Sequence, residues 1–321
     1  MNTSLLDRVR TGCRAVAQIA IHVRIDHTRI PSYAASLPLE NIAEPEIDPN
    51  THYLGHGDDT VAFFLTLDTI NFGSGYFPHL RKRPGMSGYY TVASCLSDHF
   101  GEHGPLSAQE LTHITVEDCA MVFGQDVENA PIGEMMQLFS TALNDLGRYL
   151  LDCYDGSFVG LVEAADSSAE QLVRLLIEMP FFRDVQAHGD LKVPFYKRAQ
   201  LTAADLATAF RGQGPGHFRD LDRLTIFADN LVPHVLRTDG ILLYDDDLAD
   251  RISRGELIRA GSEQEVEIRA CGVHAVELLV QQLREMGHNV PAMKLDYLLW
   301  HRGHNPLYKG KPRHRTRTVY Y

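Results

Sequence analysis

SEQEVEIRACGVHAVELLVQQLREMG, residues 262–287, carries the clearest helical pattern in this chain. Apolar residues recur at three- and four-residue spacing from Glu263 to Met286, which is the period of one face of an α-helix. The stretch opens with the S-x-x-E pattern of a capping box and closes on a glycine, and these two signals delimit helices. The sequence therefore predicts one long helix here.

The same period recurs along most of the chain, whereas strand signals are few. DVQAHGDLKVPF predicts a hairpin that turns at residues 188–190, and GILLY, residues 240–244, is a further short strand candidate. IHVRI near Ile21 alternates over too short a span to carry a sheet. Further helices are predicted over residues 4–20, 59–72, 89–100, 132–154 and 167–179.

These patterns predict a mostly α protein with a small β-hairpin element. No repeat, low-complexity block or flexible linker divides the chain, so we expect a single helical domain over residues 1–321.

The composition limits the functional class. With 321 residues, 44% of them apolar, the chain can bury a sizeable core. No apolar run approaches the roughly 20 residues of a membrane helix, and the first residues lack the apolar core of a signal peptide. Five widely spaced cysteines without a C-x-x-C pair argue against disulfides and a cysteine zinc site, so we expect reduced core thiols. We expect a cytoplasmic protein with no membrane partner.

The charge is acidic overall and uneven. A net charge of −12 disfavours direct binding to nucleic acid, because such binding depends on neutralising phosphates. Residues 301–321 hold six Lys or Arg and no acid, which leaves the preceding 300 residues at −18. We expect this basic C-terminal segment to pack on the acidic body.

A motif scan yields one metal-site pattern. HFGEH, His99–His103, matches the H-x-x-E-H zinc-peptidase pattern, but Gly101 lies within it and Gly104 follows, so we expect the helix to end here. His52 and His56 are likewise flanked by glycines. No phosphate-binding loop, dinucleotide fingerprint or hydrolase elbow occurs in its required context. The sequence therefore predicts neither a metal nor a cofactor.

Polar residues interrupt apolar patterns at four places. The first is VAFFLTLDTINF, residues 61–72, where Asp68 and Asn71 lie three positions apart on one predicted helical face. They could hydrogen-bond the donor edge of a purine-like base, with Phe72 or Phe64 stacked on its face. Alternatively, they tie a helix end to the next loop.

The second place is VPFYKRAQLTAADL, where Tyr196, Lys197 and Arg198 open a predicted helix just after the hairpin. Backbone N–H groups and the helix dipole favour an anion there, so a phosphate is one interpretation. A solvated basic helix start is the other.

The third and fourth places each contain an aspartate. In LTIFADNLVPHVL, Asp229 lies between apolar flanks, where a carboxylate must be paired, protonated or used. An N-cap for the turn before Pro233 is as consistent with this position as catalysis. In MKLDYLLWHRG, Asp296 and Trp300 stand four apart on one helical face, either towards a ligand or as a core Trp beside a capping or salt-bridged Asp.

These four segments, together with FRDV near Arg183, EVEIRACGVHAVELL at 265–279 and the terminal HRTRTVYY, resemble the queuosine salvage protein family. Its members are queuosine 5′-phosphate N-glycosylase/hydrolases, which free queuine from its nucleotide. The resemblance runs from about Asp58 to Tyr321 and is weak over the first 57 residues. Two features depart from it: Gly73 to Phe77 stands where the family commonly has F-W after Asn-Phe, and Asn230 with Leu231 where it has an aromatic residue and an arginine.

The resemblance implies a helical fold similar to helix-hairpin-helix DNA glycosylases and an essential aspartate, which corresponds to Asp229. GPGHFRDLDRLTIFADNLVP fits this, because it joins a glycine-rich turn to an apolar segment and an acid. The implied small-molecule substrate is queuosine 5′-monophosphate. An alternative is a non-catalytic queuine carrier in which Asp229 only pairs with the amine of the base, and a tRNA-binding module is disfavoured by the charge.

On this basis we assign provisional roles to the other candidates. Asp68 and Asn71 bind the pyrimidine edge of the base, Phe72 stacks on it, and Phe227 keeps the surround of Asp229 dry. Asp296, on the same helical face as Trp300, binds the amine or the diol. The 5′-phosphate is assigned to Tyr196 and Lys197, with Arg315 in the basic segment as a further partner.

Overall fold

The structure is a computed structural model that describes residues 4–39 and 45–321. Within these ranges the chain is mostly helical, as predicted, with four short strands. The helices are α1 Leu5–Ile19, α2 Ile30–Ser36, α3 Asp58–Thr69, α4 Gly88–His103, α5 Ala108–Leu111, α6 Val116–Phe123, α7 Ala130–Tyr154, α8 Phe158–Glu163, α9 Ala169–Leu176, α10 Lys197–Ala209, α11 Leu231–Thr238, α12 Asp246–Ser253, α13 Glu263–Glu285, α14 Ala292–Arg302 and α15 Pro306–Lys309. The strands are β1 Val23–Ile25, β2 Val185–His188, β3 Leu191–Pro194 and β4 Leu242–Tyr244.

Helix α13 is the predicted long helix and lies in the core, where it packs against α1, α2, α11 and β1. Its buried polar side chains have hydrogen-bond or ion-pair partners, as surroundings of low dielectric require. The capping box is only half formed: the Ser262 hydroxyl accepts from the Glu265 amide, but the Glu265 carboxylate contacts Gly261 and Arg269 instead. The Glu265 carboxylate makes these contacts inside the fold, and for this reason it does not complete the capping box.

The strands form two separate two-stranded antiparallel sheets. One is the predicted hairpin of β2 and β3. In the other, β1 pairs with β4, with Val23 opposite Tyr244 and Ile25 opposite Leu242. The expectation that IHVRI carries no sheet is therefore wrong. Its partner comes from a distant part of the chain, and Glu267 of α13 fixes its start by accepting the amides of residues 21, 22 and 23.

Helix α4 includes the HFGEH motif and ends at its last residue, His103, so the expectation that a helix ends at this motif is confirmed, although Gly101 does not interrupt the helix. One glycine in a helix costs only about 1 kcal/mol, and the helix ends where Gly104 takes a φ of 79°. The rings of His99 and His103 lie 5.0 Å apart. Still, no group of three His, Cys, Asp or Glu side chains suited to a metal occurs in residues 4–39 or 45–321.

Two other expectations concern the cysteines and membrane-spanning helices. All five cysteines are free, and four are buried, but Cys153 is exposed on α7 and is not a core thiol as expected. Across the described ranges, no helix has both the length and the apolarity needed to cross a membrane.

The part of the C-terminal segment that follows α15, residues 310–321, lies against the body of the protein in an extended conformation. The Arg315 carbonyl accepts from the Ile258 amide at 2.8 Å, and the Tyr321 carbonyl accepts from Gly73 at 3.1 Å. Alternate residues of the segment are buried, among them Thr316. A Cβ atom at Gly75 would lie 2.4 Å from the Thr316 carbonyl oxygen, so this approach requires glycine.

Candidate functional site

A cavity of about 290 Å³ opens where α3, α10, α14 and the C-terminal segment meet. This volume is near the lower end of the roughly 300–1,000 Å³ typical of small-molecule sites. Its wall combines aromatic rings with several acids and a few cations. Both are needed to bind a polar ligand that has a flat ring.

Asp229 lies on the link that leads into α11 and faces this cavity half-buried. Its Oδ1 accepts the backbone amides of Leu231 at 2.8 Å and Val232 at 3.2 Å, the first amides of α11. The carboxylate therefore caps the helix, which is one of the two interpretations of the sequence, and it also lines the cavity, while catalysis, the other interpretation, stays a prediction. The cap uses one oxygen, orients the group, and leaves Oδ2 for a ligand.

Three more carboxyl groups lie near Asp229, around the buried Lys197. Asp296 on α14 accepts the Phe227 amide at 2.9 Å, which ties α14 to the segment carrying Asp229. Burial, followed by the charge of Asp229, raises the pKa of Asp296 well above its usual range. Burial lowers the pKa of Lys197, while Asp229 and Asp68 oppose that shift. Burial likewise raises the pKa of the other two carboxyl groups, Asp68 and Asp205, so this cluster favours bound protons.

Asp68 is fully buried behind the cavity wall, whereas Asn71 and Phe72 line it. Helix α3 ends at Thr69, so Asp68 and Asn71 do not share a helical face as predicted. Instead the Asn71 amide donates to Asp68 Oδ1 at 3.2 Å across the helix end. The tie to the next loop is thus present, and it also holds Asn71 at the cavity.

The aromatic wall is formed by Phe72, Phe227 and a group of three rings. Trp300 lies on the same side of α14 as Asp296, and its ring centroid is 6.5 Å from that of Tyr89 and 6.3 Å from that of Tyr90. Both pairs meet edge to face, an arrangement that leaves ring faces for a ligand. Phe227 is buried beside Asp229, and the guanidinium of Arg198 covers one face of Phe72.

Two predicted phosphate ligands do not reach the cavity. Tyr196 is the αL residue before α10, with a φ of 50°, and it is not among the residues lining the cavity. Arg315 is exposed and is also absent from the lining; Arg313, two residues earlier, lines the cavity instead. Arg198 is buried and donates to the carbonyls of Asp68 and Thr69, so it holds the end of α3.

Sequence reasoning missed several lining residues, and two of them left a signal. On α10, Leu201 lies four residues after Lys197 and Asp205 lies four residues after Leu201. This spacing puts the three side chains on one helical face, and all three line the cavity. The buried alternation of the C-terminal segment, by contrast, only appears once its path is known. Other missed lining residues include His52, Lys82, Tyr89, Tyr90, Tyr297, His304 and Arg313.

Comparison with known proteins gives consistent matches. A family model described as Queuosine salvage protein matches residues 51–321. Proteins named Queuosine 5′-phosphate N-glycosylase/hydrolase are similar to this chain. That of Sphaerobacter thermophilus is 36% identical over 98% of this chain and 97% of its own length. That of Mus musculus is 32% identical over 97% and 98%, and that of Bos taurus 34% over 83% and 83%. The chain therefore belongs to the queuosine salvage protein family.

Proposed function

We propose that this protein hydrolyses the N-glycosidic bond of queuosine 5′-monophosphate to release queuine and ribose 5-phosphate. The observation that carries the proposal is Asp229, a half-buried carboxylate held by two backbone amides at the wall of a ligand-sized cavity. Membership of a family whose similar proteins bear the name of this activity supports it. The reaction needs no cofactor, because water is the only co-substrate.

Asp229 supplies the negative charge that the reaction requires. Breaking a glycosidic bond builds positive charge on the ribose, and a carboxylate under the anomeric carbon stabilises that charge or captures it covalently. Phe227 and Leu231 are both buried beside Asp229. Their apolar surround lowers the local dielectric and so strengthens the interaction.

The remaining lining residues are assigned to parts of the substrate by their chemistry. Asn71, held by Asp68, binds the pyrimidine edge of the 7-deazaguanine base. Phe72 and Trp300 provide ring surfaces against which the base can pack. Asp296 stays the candidate for the amine or the diol of the queuine side chain.

The 5′-phosphate is better served by Arg313 than by Lys197. Lys197 is buried among carboxylates that use its charge, and a phosphate beside it would meet those acids. Arg313 lines the cavity from the basic C-terminal segment and is exposed enough to meet a solvated anion. This revises the assignment of the phosphate to Tyr196, Lys197 and Arg315.

Replacing Arg313 with Ala is expected to lower kcat/KM for the nucleotide by roughly 10- to 100-fold, the value of one charge-assisted hydrogen bond. The nucleoside should lose little, because it lacks the phosphate. Steady-state kinetics with both substrates measures this. Arg315→Ala is the comparison two residues along, and a larger nucleotide-specific loss there would return the phosphate to Arg315.

The activity itself is tested by incubating the protein with queuosine 5′-monophosphate and assaying queuine and ribose 5-phosphate by chromatography. Release of both products supports the proposal. A protein that binds queuine tightly but releases no ribose 5-phosphate from the nucleotide is the carrier instead.

We further propose that the protein acts on the free nucleotide in the cytoplasm, and not on queuosine within tRNA. The net charge of −12 supports this, and a salt-dependent mobility shift with tRNA would oppose it.

We also propose a relationship to helix-hairpin-helix DNA glycosylases, supported by the glycine-rich turn at 212–216 that links α10 to the Asp229 segment. Superposition of a crystal structure on such glycosylases tests that relationship.

A further inference from the structure

Asp68 on α3 and Asp205 on α10 form a carboxyl pair next to the cavity. Helices α3 and α10 pack against each other, and the charge of Asp68 acts on Asp205. A buried carboxyl group next to a second one favours holding a proton, because like charges repel strongly in a low dielectric. Asp68 Oδ1 accepts from Asn71, whereas the buried Oδ2 meets no donor in the described part of the chain. A proton held between Oδ2 and Asp205 supplies the missing partner.

The surrounding charges keep that proton on the pair. Burial, and then the charge of Asp68, raises the pKa of Asp205 well above its usual range; Lys197 opposes the shift and Asp296 adds to it. The Lys197 ammonium is shared among Asp229, Asp68 and Asp205, and together with Arg198 it only partly opposes the effect of burial, which raises the pKa of Asp68 to about 6. Tyr89 from α4 also faces Asp205 and stays neutral, because burial raises its pKa.

The proposed reaction needs a proton donor at this place. When the C1′–N9 bond breaks, its electron pair goes to the base, and 7-deazaguanine has a carbon where guanine has a basic N7. The base must therefore be protonated or hydrogen-bonded elsewhere on its rings. Asp205 lines the cavity and Asp68 lies behind it, so Asp205 is the member of the pair that touches a ligand.

We propose that Asp205 is the general acid of the reaction and donates the proton it shares with Asp68 to the departing base. The inference rests on the proposed function. As the C1′–N9 bond breaks, the base takes the electron pair and the proton from Asp205, while Asp229 stabilises the positive charge at C1′. Water then adds its oxygen to C1′ and returns one proton to the Asp68–Asp205 pair, which restores the starting state.

The first test is Asp205→Asn, which keeps the shape and a hydrogen-bond donor but has no proton to transfer. Its kcat with queuosine 5′-monophosphate is expected to fall by about 10²- to 10⁴-fold, the usual contribution of a general acid. Wild-type kcat should fall as the pH rises and the pair loses its proton, and this decline should vanish in the variant. Asp222→Asn, an exposed acid outside the cavity, is the matched control and should leave kcat unchanged.

The second test uses 4-nitrophenyl riboside 5-phosphate, whose leaving group departs without protonation. Asp205→Asn should cleave it as fast as the wild type does, whereas Asp229→Asn should be slow with both substrates. An Asp205→Asn enzyme that is equally slow with both substrates contradicts the acid role. If the wild type cleaves neither substrate, the proposed function fails, and the inference fails with it.

Asp68→Asn is the second variant, and it probes the shared proton directly. Removing the neighbouring carboxylate removes the charge that raises the pKa of Asp205, so the decline of kcat should move to lower pH. The double variant should be no slower than Asp205→Asn alone, because the two act as one unit. A decline that stays in place, or losses that multiply, would overturn the proposal.

Discussion

Asp229→Asn is expected to abolish turnover while queuine binding persists. The amide oxygen of Asn can still accept the Leu231 and Val232 amides, so the start of α11 and the shape of the cavity should survive. The charge under the anomeric carbon is lost, and we expect kcat to fall by about 10³-fold or more. Single-turnover release of queuine measures the rate, and calorimetry with queuine measures binding.

Asp220→Asn is the matched control for this change. Asp220 also uses its carboxylate to cap a helix, accepting the Ala169 amide at 2.6 Å at the start of α9, but it does not line the cavity. Both variants should lose a similar amount of thermal stability, and only Asp229→Asn should lose activity. Release of queuine at the wild-type rate by Asp229→Asn would return Asp229 to a purely capping role.

The sequence predicted those parts of the fold that depend on local pattern. The helical period and the terminal glycine located α13, and the turn residues located the hairpin of β2 and β3. The pairing of β1 with β4 was not predictable in this way, because three-residue strands carry almost no pattern and their register depends on distant residues. Glu267, which fixes the start of β1, belongs to another element altogether.

In the candidate site, too, local pattern identified some residues and could not identify others. Asp229, Asp296 and Trp300 stood out because a polar or bulky residue broke a local pattern, and all three line the cavity. Tyr196 and Arg315 were assigned through proximity in sequence, and their side chains do not line it. A segment in an extended conformation alternates its sides, so choosing between Arg313 and Arg315 requires the path of the chain against α14, which local sequence does not encode.

Arg269→Met is expected to destabilise the fold more than any other single change considered. The Arg269 guanidinium is fully buried, pairs with both oxygens of Asp184 at 3.0 and 2.5 Å, and donates from Nε to the Ala228 carbonyl at 2.9 Å. Removing one partner of a buried pair leaves the other charge unpaired, which costs about 3–5 kcal/mol. Urea unfolding followed by circular dichroism measures the free energy of unfolding.

The position of this pair links stability to the site. The backbone carbonyl of Asp184 also accepts the Phe195 amide at 2.9 Å, just before Lys197, while Ala228, which accepts from Arg269, directly precedes Asp229. One buried ion pair therefore sets the distance between the two segments that carry the charges of the cavity. Adding Asp184→Leu to Arg269→Met should recover part of the lost stability, because Asp184 is then no longer an unpaired buried charge and only Glu265 still lacks the guanidinium. It should not recover kcat, because the Ala228 carbonyl still lacks its donor.

Arg148→Met, which breaks an exposed pair with Asp145, is the control and should change neither quantity. Equal stability of the single and double variants would show that Asp184 finds another partner, and wild-type kcat in the double variant would separate the ion pair from the placement of Asp229.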